Sequence, residues 1–327
     1  MTAPTEIDGL AAKLAARLPG RVERNVSSAT LTTYRCGGPL AVLVRVERED
    51  DLYAVADQLL ATDAPVLVIG RGSNLLVADQ GFAGVAIALA GEFEQLDIEP
   101  VGSGGGGDGV HVRAGGAVPL PVLARRTGTV GVAGLEFFVG IPGSVGGAVR
   151  MNAGGHGAQT ADVIVGARVF DLGDARARDF TRAQLGLGYR TSALSERSVV
   201  VAATFSGRRD EPAAVAARID EIVRWRREHQ PGGQNAGSVF TNPEGDSAGR
   251  LIDAAGCKGA RAGGAVVSEK HANFFVAEPG ARAADVYELI ELVRARVYDA
   301  TGVRLEPELH LIGFEPLSGA WTDAEAS

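Results

Sequence analysis

The segment "VRLEPELHLI" near the C-terminus contains side chains that could transfer a proton. Alternation along an extended strand would place Arg304, Glu306, Glu308 and His310 on one face and the aliphatic residues on the other, against a core. Pro307 predicts that this strand lies at a sheet edge. The polar face is therefore either a solvated edge with charged residues or a surface that presents a carboxyl group to a cleft.

Two further segments contain candidate reactive residues. In "NAGSVFTNPEG", Ser238 lacks the G-x-S-x-G context of an activated nucleophile, so it is either a turn serine or a proton donor. In "LGLGYRTS", Tyr189 and Arg190 belong either to a surface turn or to a binding site. The five histidines show no metal-ligand spacing, so no metal site is predicted.

Glycine is concentrated in two stretches, "GRGSNL" at 70–75 and "GIPGSVGGAVRMNAGG" at 140–155. The first lacks the third glycine of the dinucleotide-binding fingerprint, and the chain contains no P-loop triplet of glycine, lysine and serine or threonine. Both stretches offer backbone N–H groups beside short polar side chains, which can bind an anion without net positive charge. Each is either a tight structural turn or part of a phosphate-binding site.

The composition is that of a globular protein without an overall basic field. The chain has 327 residues, 46% of them hydrophobic, a net charge of -8 and a pI near 5.3. This balance disfavours nucleic acid and anionic membranes as partners. The N-terminus lacks a signal-peptide pattern, and the two cysteines, Cys36 and Cys257, suit a reducing compartment. We expect a cytoplasmic protein with no membrane span and no obligatory protein partner.

Hydrophobic periodicity predicts an α+β chain in two parts. The change in composition near Arg208 predicts domains at 1–208 and 209–327. The glycine run at 102–107 is expected to form a surface loop. Helices are predicted at "EDDLYAVADQLLAT", "RRDEPAAVAARIDEIVRWRREHQP", "DSAGRLIDAAG" and "AADVYELIELVRARVYDATG", and strands at "PVLVIG", "VIVGARVF" and "RSVVVAATF".

The order of the motifs resembles that of one enzyme family. Seven segments resemble, in kind and in order, those of the UDP-N-acetylenolpyruvoylglucosamine reductases. They are "TTYRCGGP", "VIGRGSNLLV", "GLEFFVGIPGSVGGAVRMNAGG", "GYRTS", "GSVFTNP", "AAGCKGARAGGAVVSEKHANFF" and "LEPELHLIGF". The resemblance extends from about Thr30 to Phe314. The distance between "GYRTS" and "GSVFTNP" is similar to that in the shorter members, which lack an inserted substrate-covering segment. No tyrosine of that segment is therefore assigned here.

The resemblance implies a flavoenzyme that uses FAD and NADPH. Its first half would be an FAD-binding domain of the vanillyl-alcohol-oxidase type with two subdomains. A smaller α+β substrate-binding domain would follow and end in a catalytic strand. FAD would bind non-covalently, although His156 follows two glycines in a way that superficially suits covalent attachment. NADPH would reduce the flavin and leave before the substrate enters the same cleft.

The resemblance also assigns both glycine stretches to the cofactor. Their backbone N–H groups would contact the FAD pyrophosphate and approach the flavin ring, because a Cβ atom would hold the phosphate oxygens away. The implied cofactor-binding residues are Arg71, Gly72, Ser73, Asn74, Leu75, Ile141, Pro142, Gly143, Ser144, Gly146, Gly147, Asn152 and Ala153.

The implied reaction reduces UDP-N-acetylglucosamine enolpyruvate to UDP-N-acetylmuramate for bacterial peptidoglycan. Hydride addition leaves negative charge on the substrate carboxylate, which Arg190 and Glu308 would contact, while Ser238 would protonate the adjacent carbon. His229 stands where many relatives have a longer polar side chain, so a phosphate contact there is in question. The implied substrate-binding residues are Tyr189, Arg226, His229, Asn242 and Lys258.

Two other functions stay open from the sequence. One is another flavin oxidoreductase of the same superfamily, acting on an alcohol or a sugar, which would not need "GSVFTNP" and "LEPELHLIG" together. The other is a catalytically silent flavin-binding protein, which would be expected to lack one of Arg190, Ser238 and Glu308. All three residues are present.

Overall fold

The computed structural model describes residues 4–100 and 109–317, so the glycine run at 102–107 lies outside the described residues. The helices are α1 (Pro4–Arg17), α2 (Glu49–Leu59), α3 (Leu120–Thr129), α4 (Val145–Met151), α5 (Thr160–Val163), α6 (Pro212–His229), α7 (Ala248–Ala254) and α8 (Ala283–Thr301). Short 3-10 helices lie at Ser28–Thr30, Gly91–Glu94 and Glu136–Gly140.

The strands are short, as the short apolar runs of the sequence predict. They are β1 (Val22–Ser27), β2 (Pro39–Val46), β3 (Val66–Ile69), β4 (Leu75–Val77), β5 (Phe82–Leu89), β6 (Leu96–Pro100), β7 (Gly109–Gly115), β8 (Val132–Ala133), β9 (Gly154–Gly155), β10 (Ala158–Gln159), β11 (Ile164–Asp171), β12 (Arg176–Thr181), β13 (Ser198–Arg209), β14 (Arg261–Ala262), β15 (Ala265–Val267), β16 (Phe275–Ala277) and β17 (His310–Ile312).

The chain divides into two compact units. The first comprises the described residues up to Val26 together with Leu40–Ser73 and Ala83–His229, and the second comprises Ser27–Pro39, Asn74–Phe82 and the described residues from Gln230 onwards. This division differs from the boundary expected near residue 208. The reason is helix α6, whose Val215 and Ile219 are buried in a core of the first unit. The charged residues of this helix lie on its outer face, so its composition does not indicate which core its buried face joins.

Two hydrophobic cores lie in the first unit and share strand β13. In one core, the strands of the sheet ordered β12-β11-β13-β7-β6 pack against α3, α4 and α6. The other core joins α1 and α2 to the sheet ordered β1-β2-β5-β3. Val199 and Val201 point into the second core and Val200 into the first, because successive side chains of a strand face opposite sides. The predicted α+β architecture is confirmed.

The second unit has one core, built around helix α8. Val286, Leu289, Ile290 and Val293 are fully buried there, as the spacing of these residues in the sequence predicts. The antiparallel sheet β14-β15-β16 contributes to the same core. Strand β4, from the first quarter of the chain, pairs in parallel with the C-terminal strand β17.

The long strand predicted over "VRLEPELHLI" is wrong in its extent, because only His310–Ile312 is a regular strand. Upstream, the segment pairs first with a different partner: Thr241 N–H donates to the Glu306 carbonyl at 2.9 Å, and Phe240 forms an isolated bridge with Pro307. Pro307 needs no N–H in this pairing, because the hydrogen bonds from Thr241 N–H and from Glu308 N–H to the Val239 carbonyl lie on either side of it. The segment pairs with β4 only from His310 onwards, so its two halves have different partners. Within the described ranges, every helix is too short or too polar to cross a bilayer.

Candidate active site

The two glycine-rich turns lie next to each other in the first unit. A Cβ atom built at Gly70 would lie 2.4 Å from Ser144 Oγ, and one built at Gly143 would lie 3.6 Å from Ser73 Oγ. Gly72 has a φ of +58°, which glycine adopts without strain. Residues 70–73 and 143–144, far apart in the sequence, therefore contribute to one surface.

The backbone N–H groups of the second turn fall into two sets. Those of Val145 and Gly146 donate at 2.9 Å to carbonyls of the connection between β7 and α3, and that of Gly147 approaches Ser144 Oγ at 3.5 Å. The N–H groups of Gly143 and Ser144 have no acceptor within the described part of the chain. An anion at this turn would therefore bind to Gly143 and Ser144, while the N–H groups of Gly146 and Gly147 hold the fold.

Part of the second glycine-rich stretch forms helix α4. Ser144 caps its N-terminus and Asn152, at φ +42°, its C-terminus. Asn152 is 1% exposed, and its amide nitrogen donates to the Gly188 carbonyl at 2.8 Å and to Gln159 Oε1 at 3.0 Å. Its oxygen accepts from Ala161 N–H at 2.8 Å. The side chain of this cofactor candidate therefore points into the protein.

The other cofactor candidates of the first unit differ in exposure. Arg71 and Pro142 are exposed. Ile141 is half-buried and packs against the core around α3 and α6. Ala153 is half-buried, and its carbonyl accepts from Thr160 N–H and Thr160 Oγ1, both at 2.9 Å.

Asn74 and Leu75 belong to the second unit, where they anchor the segment that contains Glu308. Leu75 begins strand β4 and lies opposite His310. The Asn74 side chain donates to the Glu308 carbonyl at 3.0 Å, and the Asn74 carbonyl accepts from His310 N–H at 3.1 Å. The polar residue at the end of the "RGSN" turn therefore fixes the backbone at the candidate catalytic glutamate.

Backbone hydrogen bonds bring the segments of Ser238 and Glu308 side by side. Glu308 N–H donates to the Val239 carbonyl at 2.8 Å, and Val239 N–H donates to the Asn273 carbonyl at 2.9 Å. The buried Asn273 side chain accepts from Phe240 N–H at 3.0 Å and donates to the Phe240 carbonyl at 2.9 Å. Ser238 and Glu308 thus stand on adjacent extended segments held by a network of hydrogen bonds.

Ser238 lines a pocket of about 360 Å³ in the second unit. Asn242 and Lys258 line the same pocket, so the structure brings together three residues that the sequence assigned separately to catalysis and substrate binding. Its other lining residues are Ser247, Gly249, Arg250, Asp253, Lys270, His271, Ala272 and Asn273.

The charge of this pocket is mainly positive. Its lining cations are Lys258, Lys270 and Arg250, and its one lining carboxylate, Asp253, pairs with Lys258 at 2.7 Å. Arg250 pairs with Asp246, which is not a lining residue, with Nε 2.6 Å from Oδ1. Burial lowers the pKa of His271, and the charge of Lys258 adds to the effect, so this imidazole is neutral at pH 7. The arrangement suits an anionic ligand such as a phosphate ester.

Arg190 lies in a tight turn of the first unit. Gly188 N–H donates to the Thr191 carbonyl at 3.1 Å, and Thr191 N–H donates to the Gly188 carbonyl at 3.4 Å. Arg190 has a φ of +56°, and its guanidinium carbon lies 5.3 Å from the ring centroid of Tyr189, which is 54% exposed. The turn presents two chemically useful side chains at the surface of the unit.

Arg226 and His229 lie in the last turn of helix α6, next to an aromatic cluster. The His229 ring stacks on Trp225 with centroids 4.5 Å apart, and His156 approaches Trp225 edge-on at 4.9 Å. Arg226 is half-buried, and this burial lowers its pKa. His229 therefore contacts a tryptophan ring of its own helix, and His156 lies at the tip of the β9–β10 hairpin.

Several pocket residues are not predicted as site residues by the sequence, namely Arg250, Lys270, His271 and Asn273. The last three lie in the quoted segment "SEKHANFF", but nothing in their spacing indicates which of them face a pocket. The only local signal is a cluster of polar residues just before an apolar strand. Among the described residues, no group of three or more His, Cys, Asp and Glu side chains could hold a metal ion.

Comparison with known proteins matches both parts of the chain. Residues 39–181 match the family model of an FAD binding domain, and residues 229–312 match that of the UDP-N-acetylenolpyruvoylglucosamine reductase C-terminal domain. The reductase of Methylorubrum extorquens (strain PA1) is 45% identical, with 96% of this chain and 99% of that one covered. The reductase of Paramagnetospirillum magneticum is 44% identical, with 91% and 94% covered.

A solved structure is also similar. The crystal structure of UDP-N-acetylenolpyruvylglucosamine reductase from Thermus caldophilus has a TM-score of 0.75 and 38% identity, covering 89% of this chain and 99% of that one. The combination of an FAD-binding domain with this C-terminal domain defines an FAD-dependent oxidoreductase. The chain belongs to the UDP-N-acetylenolpyruvoylglucosamine reductase family. The resemblance drawn from motif order is confirmed.

The residues of the first unit fit an FAD cofactor. The N–H groups of Gly143 and Ser144 are available, and the absence of a Cβ atom at Gly70 lets the two glycine turns approach each other. The Ser73 hydroxyl lies beside Gly143, and the buried Ser144 hydroxyl caps helix α4 beside Gly70. Adjacent N–H groups with short polar side chains form a concave site for phosphate oxygens.

Proposed function

We propose that this chain reduces the enolpyruvyl group of UDP-N-acetylglucosamine enolpyruvate with electrons from NADPH, giving UDP-N-acetylmuramate for peptidoglycan synthesis. The observation that carries the proposal is the cationic pocket in which Ser238, Asn242 and Lys258 lie together. The free, buried cysteines Cys36 and Cys257 fit a reducing compartment, and we assign the reaction to the cytoplasm. When bound, FAD supplies the two-electron transfer between NADPH and the enolpyruvyl double bond.

The pocket would hold the diphosphate part of a nucleotide-sugar. The lining cations Lys258, Lys270 and Arg250 outnumber the one lining carboxylate, Asp253, which is paired with Lys258. Arg250 is paired with Asp246 outside the lining, so a phosphate group would share this arginine with a carboxylate. Asn242 Oδ1 accepts from Ala248 N–H at 3.0 Å, which holds this side chain at the wall of the pocket. A nucleoside diphosphate carries the negative charges that these groups would compensate.

Three side chains are proposed to act on the reacting group. Arg190 would stabilise the negative charge that develops on the substrate carboxylate, and Glu308, when protonated, would donate a hydrogen bond to the same group. Ser238 would give its proton to the carbon next to that carboxylate. The backbone network around Val239 supports these assignments, because it fixes the segments of Ser238 and Glu308 relative to each other.

The test follows the flavin absorbance near about 450 nm under anaerobic conditions, with FAD-loaded protein. NADPH should bleach the band, and UDP-N-acetylglucosamine enolpyruvate should then restore it. Bleaching without recovery would mean that the electrons go to a different acceptor, as in another flavin oxidoreductase. A protein that acquires no flavin band after incubation with FAD would contradict the assignment of the glycine turns.

A pair of serine variants tests the role of Ser238. Ser238→Ala should leave the bleaching by NADPH unchanged and slow the recovery about 10²–10³-fold, the loss typical of a group that acts in the transition state. Ser247→Ala is the control, since Ser247 lines the same pocket but caps helix α7. It should cost about 1 kcal/mol of stability and leave the recovery rate within a few-fold.

A further inference from the structure

The turn that contains Arg190 is fastened to the C-terminal end of helix α4. Asn152 Nδ2 donates to the Gly188 carbonyl at 2.8 Å, two residues before Arg190. Ser192 Oγ donates to the Arg150 carbonyl at 2.7 Å, two residues after it. The C-terminal end of helix α4 thus binds the turn on both sides of Arg190.

The hydrogen-bonding groups of the Asn152 side chain are fully engaged inside the protein. A primary amide has two donor hydrogens and one acceptor oxygen. The hydrogens go to the Gly188 carbonyl and to Gln159 Oε1, and the oxygen accepts from Ala161 N–H. Because Asn152 is also 1% exposed, a ligand would reach it only if one of these bonds broke.

The conformation of Arg190 needs such support. A φ of +56° is unfavourable for any residue with a Cβ atom, and it persists where neighbouring bonds enforce it. The bond from Asn152 holds the Gly188 carbonyl, which also accepts the hydrogen bond that closes the turn from Thr191 N–H. Loss of the Asn152 donor would therefore loosen the turn at its closing bond.

We propose that Asn152 is a positioning residue for Arg190, acting through the Gly188 carbonyl and not through its own contact with the flavin or the substrate. The inference rests on the role of Arg190 in the proposed function. A guanidinium group displaced by about 1 Å from the developing charge can lose up to about 100-fold in rate. Asn152 would therefore control the step in which the enolpyruvyl substrate is reduced, and leave the reduction by NADPH unaffected.

The primary variant is Asn152→Asp in the FAD-loaded enzyme. It preserves the side-chain shape, the acceptor for Ala161 N–H and a tolerance for positive φ, but it places an oxygen against the Gly188 carbonyl. In stopped-flow measurements, recovery of the flavin band by the enolpyruvyl substrate should slow about 10- to 100-fold. Bleaching by NADPH and the visible spectrum of the bound flavin should not change.

A double-mutant cycle with Arg190→Ala shows whether Asn152 acts through Arg190. Alanine keeps a Cβ atom at the strained position, so the backbone reference changes little. In the Arg190→Ala background, Asn152→Asp should slow the recovery less than about twofold, since coupled residues give non-additive effects. Equal slowing in both backgrounds would overturn the positioning role.

Gln159→Ala is the matched control. It removes the other acceptor of the same amide and leaves the bond to Gly188 in place. The recovery rate should stay close to that of the wild type. Hydrogen–deuterium exchange of the FAD-free protein adds a readout that does not depend on activity. Residues 188–192 should exchange faster in Asn152→Asp and not in Gln159→Ala.

The remaining outcomes separate this inference from the proposed function. If Arg190→Ala alone leaves the recovery rate unchanged, the proposed role of Arg190 fails. If Arg190→Ala slows the recovery but Asn152→Asp does not, only the positioning role fails. The same holds if Asn152→Asp slows bleaching by NADPH as much as it slows the recovery. Should Asn152→Asp not retain FAD, Asn152→Gly replaces it with the same expectations, because glycine adopts a φ of +42° without strain.

Discussion

Among single residues, Arg190 combines a strained backbone with a proposed role in the reaction. Its φ of +56° lies in the region that favours glycine, and a residue with a Cβ atom there costs about 1 kcal/mol or more. Strain of this kind persists where the side chain is needed. The position is therefore one where stability and activity should respond to mutation in opposite directions.

We expect Arg190→Gly to leave the free energy of unfolding unchanged or raise it by up to about 1 kcal/mol, because the strain is relieved. The same variant should slow recovery of the flavin band by the enolpyruvyl substrate about 10²–10³-fold. Ala175→Gly is the control, since Ala175 has a φ of +54° in the turn between β11 and β12. It should leave the recovery rate intact. Wild-type recovery in Arg190→Gly would refute the role of Arg190.

The surface at the glycine turns depends on the missing side chain of Gly143. A Cβ atom there would make ordinary contacts, 3.5 Å from Leu120 Cδ1 and 3.6 Å from Ser73 Oγ. The fold therefore has room for alanine at this position. A bound phosphate group would not, because the Cβ atom would stand beside the available N–H groups of Gly143 and Ser144.

We expect Gly143→Ala to weaken FAD binding about tenfold or more, the loss typical of a hydrogen bond to a charged group. Its unfolding free energy without FAD should change by less than about 1 kcal/mol. Titration of the FAD-free protein with FAD, followed by flavin fluorescence, measures the affinity. Gly155→Ala is the control, since a Cβ atom there meets nothing within 4 Å. Equal affinities of both variants would exclude a close phosphate contact at Gly143.

Helix α8 of the second unit begins at a buried carboxylate that binds the backbone around its first turn. Asp285 lies in the first turn of α8 and is 5% exposed. Its carboxylate accepts from Arg282 N–H and Gly264 N–H, both at 3.0 Å, and from the Arg282 guanidinium at 2.9 Å. Burial opposes the charge, but these hydrogen bonds outweigh it and hold the pKa of Asp285 below its usual range.

The lowered pKa of Asp285 makes its contribution to the free energy of unfolding depend on pH. A carboxyl group whose pKa is lower in the folded state stabilises the protein above its unfolded pKa of about 3.9, and the contribution disappears as the pH falls through the folded value. Asp285→Asn should cost about 1–3 kcal/mol at pH 7. The difference from the wild type in urea unfolding should shrink at about pH 3 and below. Asp299→Asn, at an exposed position of the same helix, should show little effect at either pH. A cost for Asp285→Asn that is independent of pH would contradict the assignment.

At the scale of the whole molecule, the two units have separate cores, and the glycine turns at 70–73 and 143–144 belong to the first. Binding of FAD to the folded state adds to the free energy of unfolding by mass action. The phosphate groups of FAD are proposed to contact these turns. Thermal stability should therefore depend on the phosphates of the ligand.

We expect FAD at a hundred times its Kd to stabilise the FAD-free protein by about 2.7 kcal/mol. This corresponds to a rise in Tm of about 5 °C for a chain of this size. Riboflavin, which has the same ring system without phosphates, should produce a much smaller shift at the same concentration. Calorimetry measures both. An equal shift with riboflavin would show that the turns do not bind the diphosphate.

The sequence by itself determined the elements whose signal is local. The spacing of Leu52, Val55 and Leu59 predicts helix α2, because a helix returns its side chains to one face every three or four residues. The order of the glycine-rich and polar motifs identified the family, and with it FAD and the reaction class. The residues Ser238, Asn242 and Lys258 were chosen from sequence and line one pocket. The helix signal is local, because it depends on neighbours within a few positions, whereas the site residues follow from the resemblance of motif order to a known family.

Only the tertiary structure decided which distant segments meet. It placed Gly70 against Ser144, turned the Asn152 side chain inward to the Gly188 carbonyl, and packed helix α6 in the first unit. It also shortened the last strand, because the segment pairs with residues 239–241 around Pro307 and with β4 only from His310 onwards. These contacts join residues tens or hundreds of positions apart. No periodicity records them, since they follow from how the packed elements fill space and satisfy buried hydrogen-bonding groups.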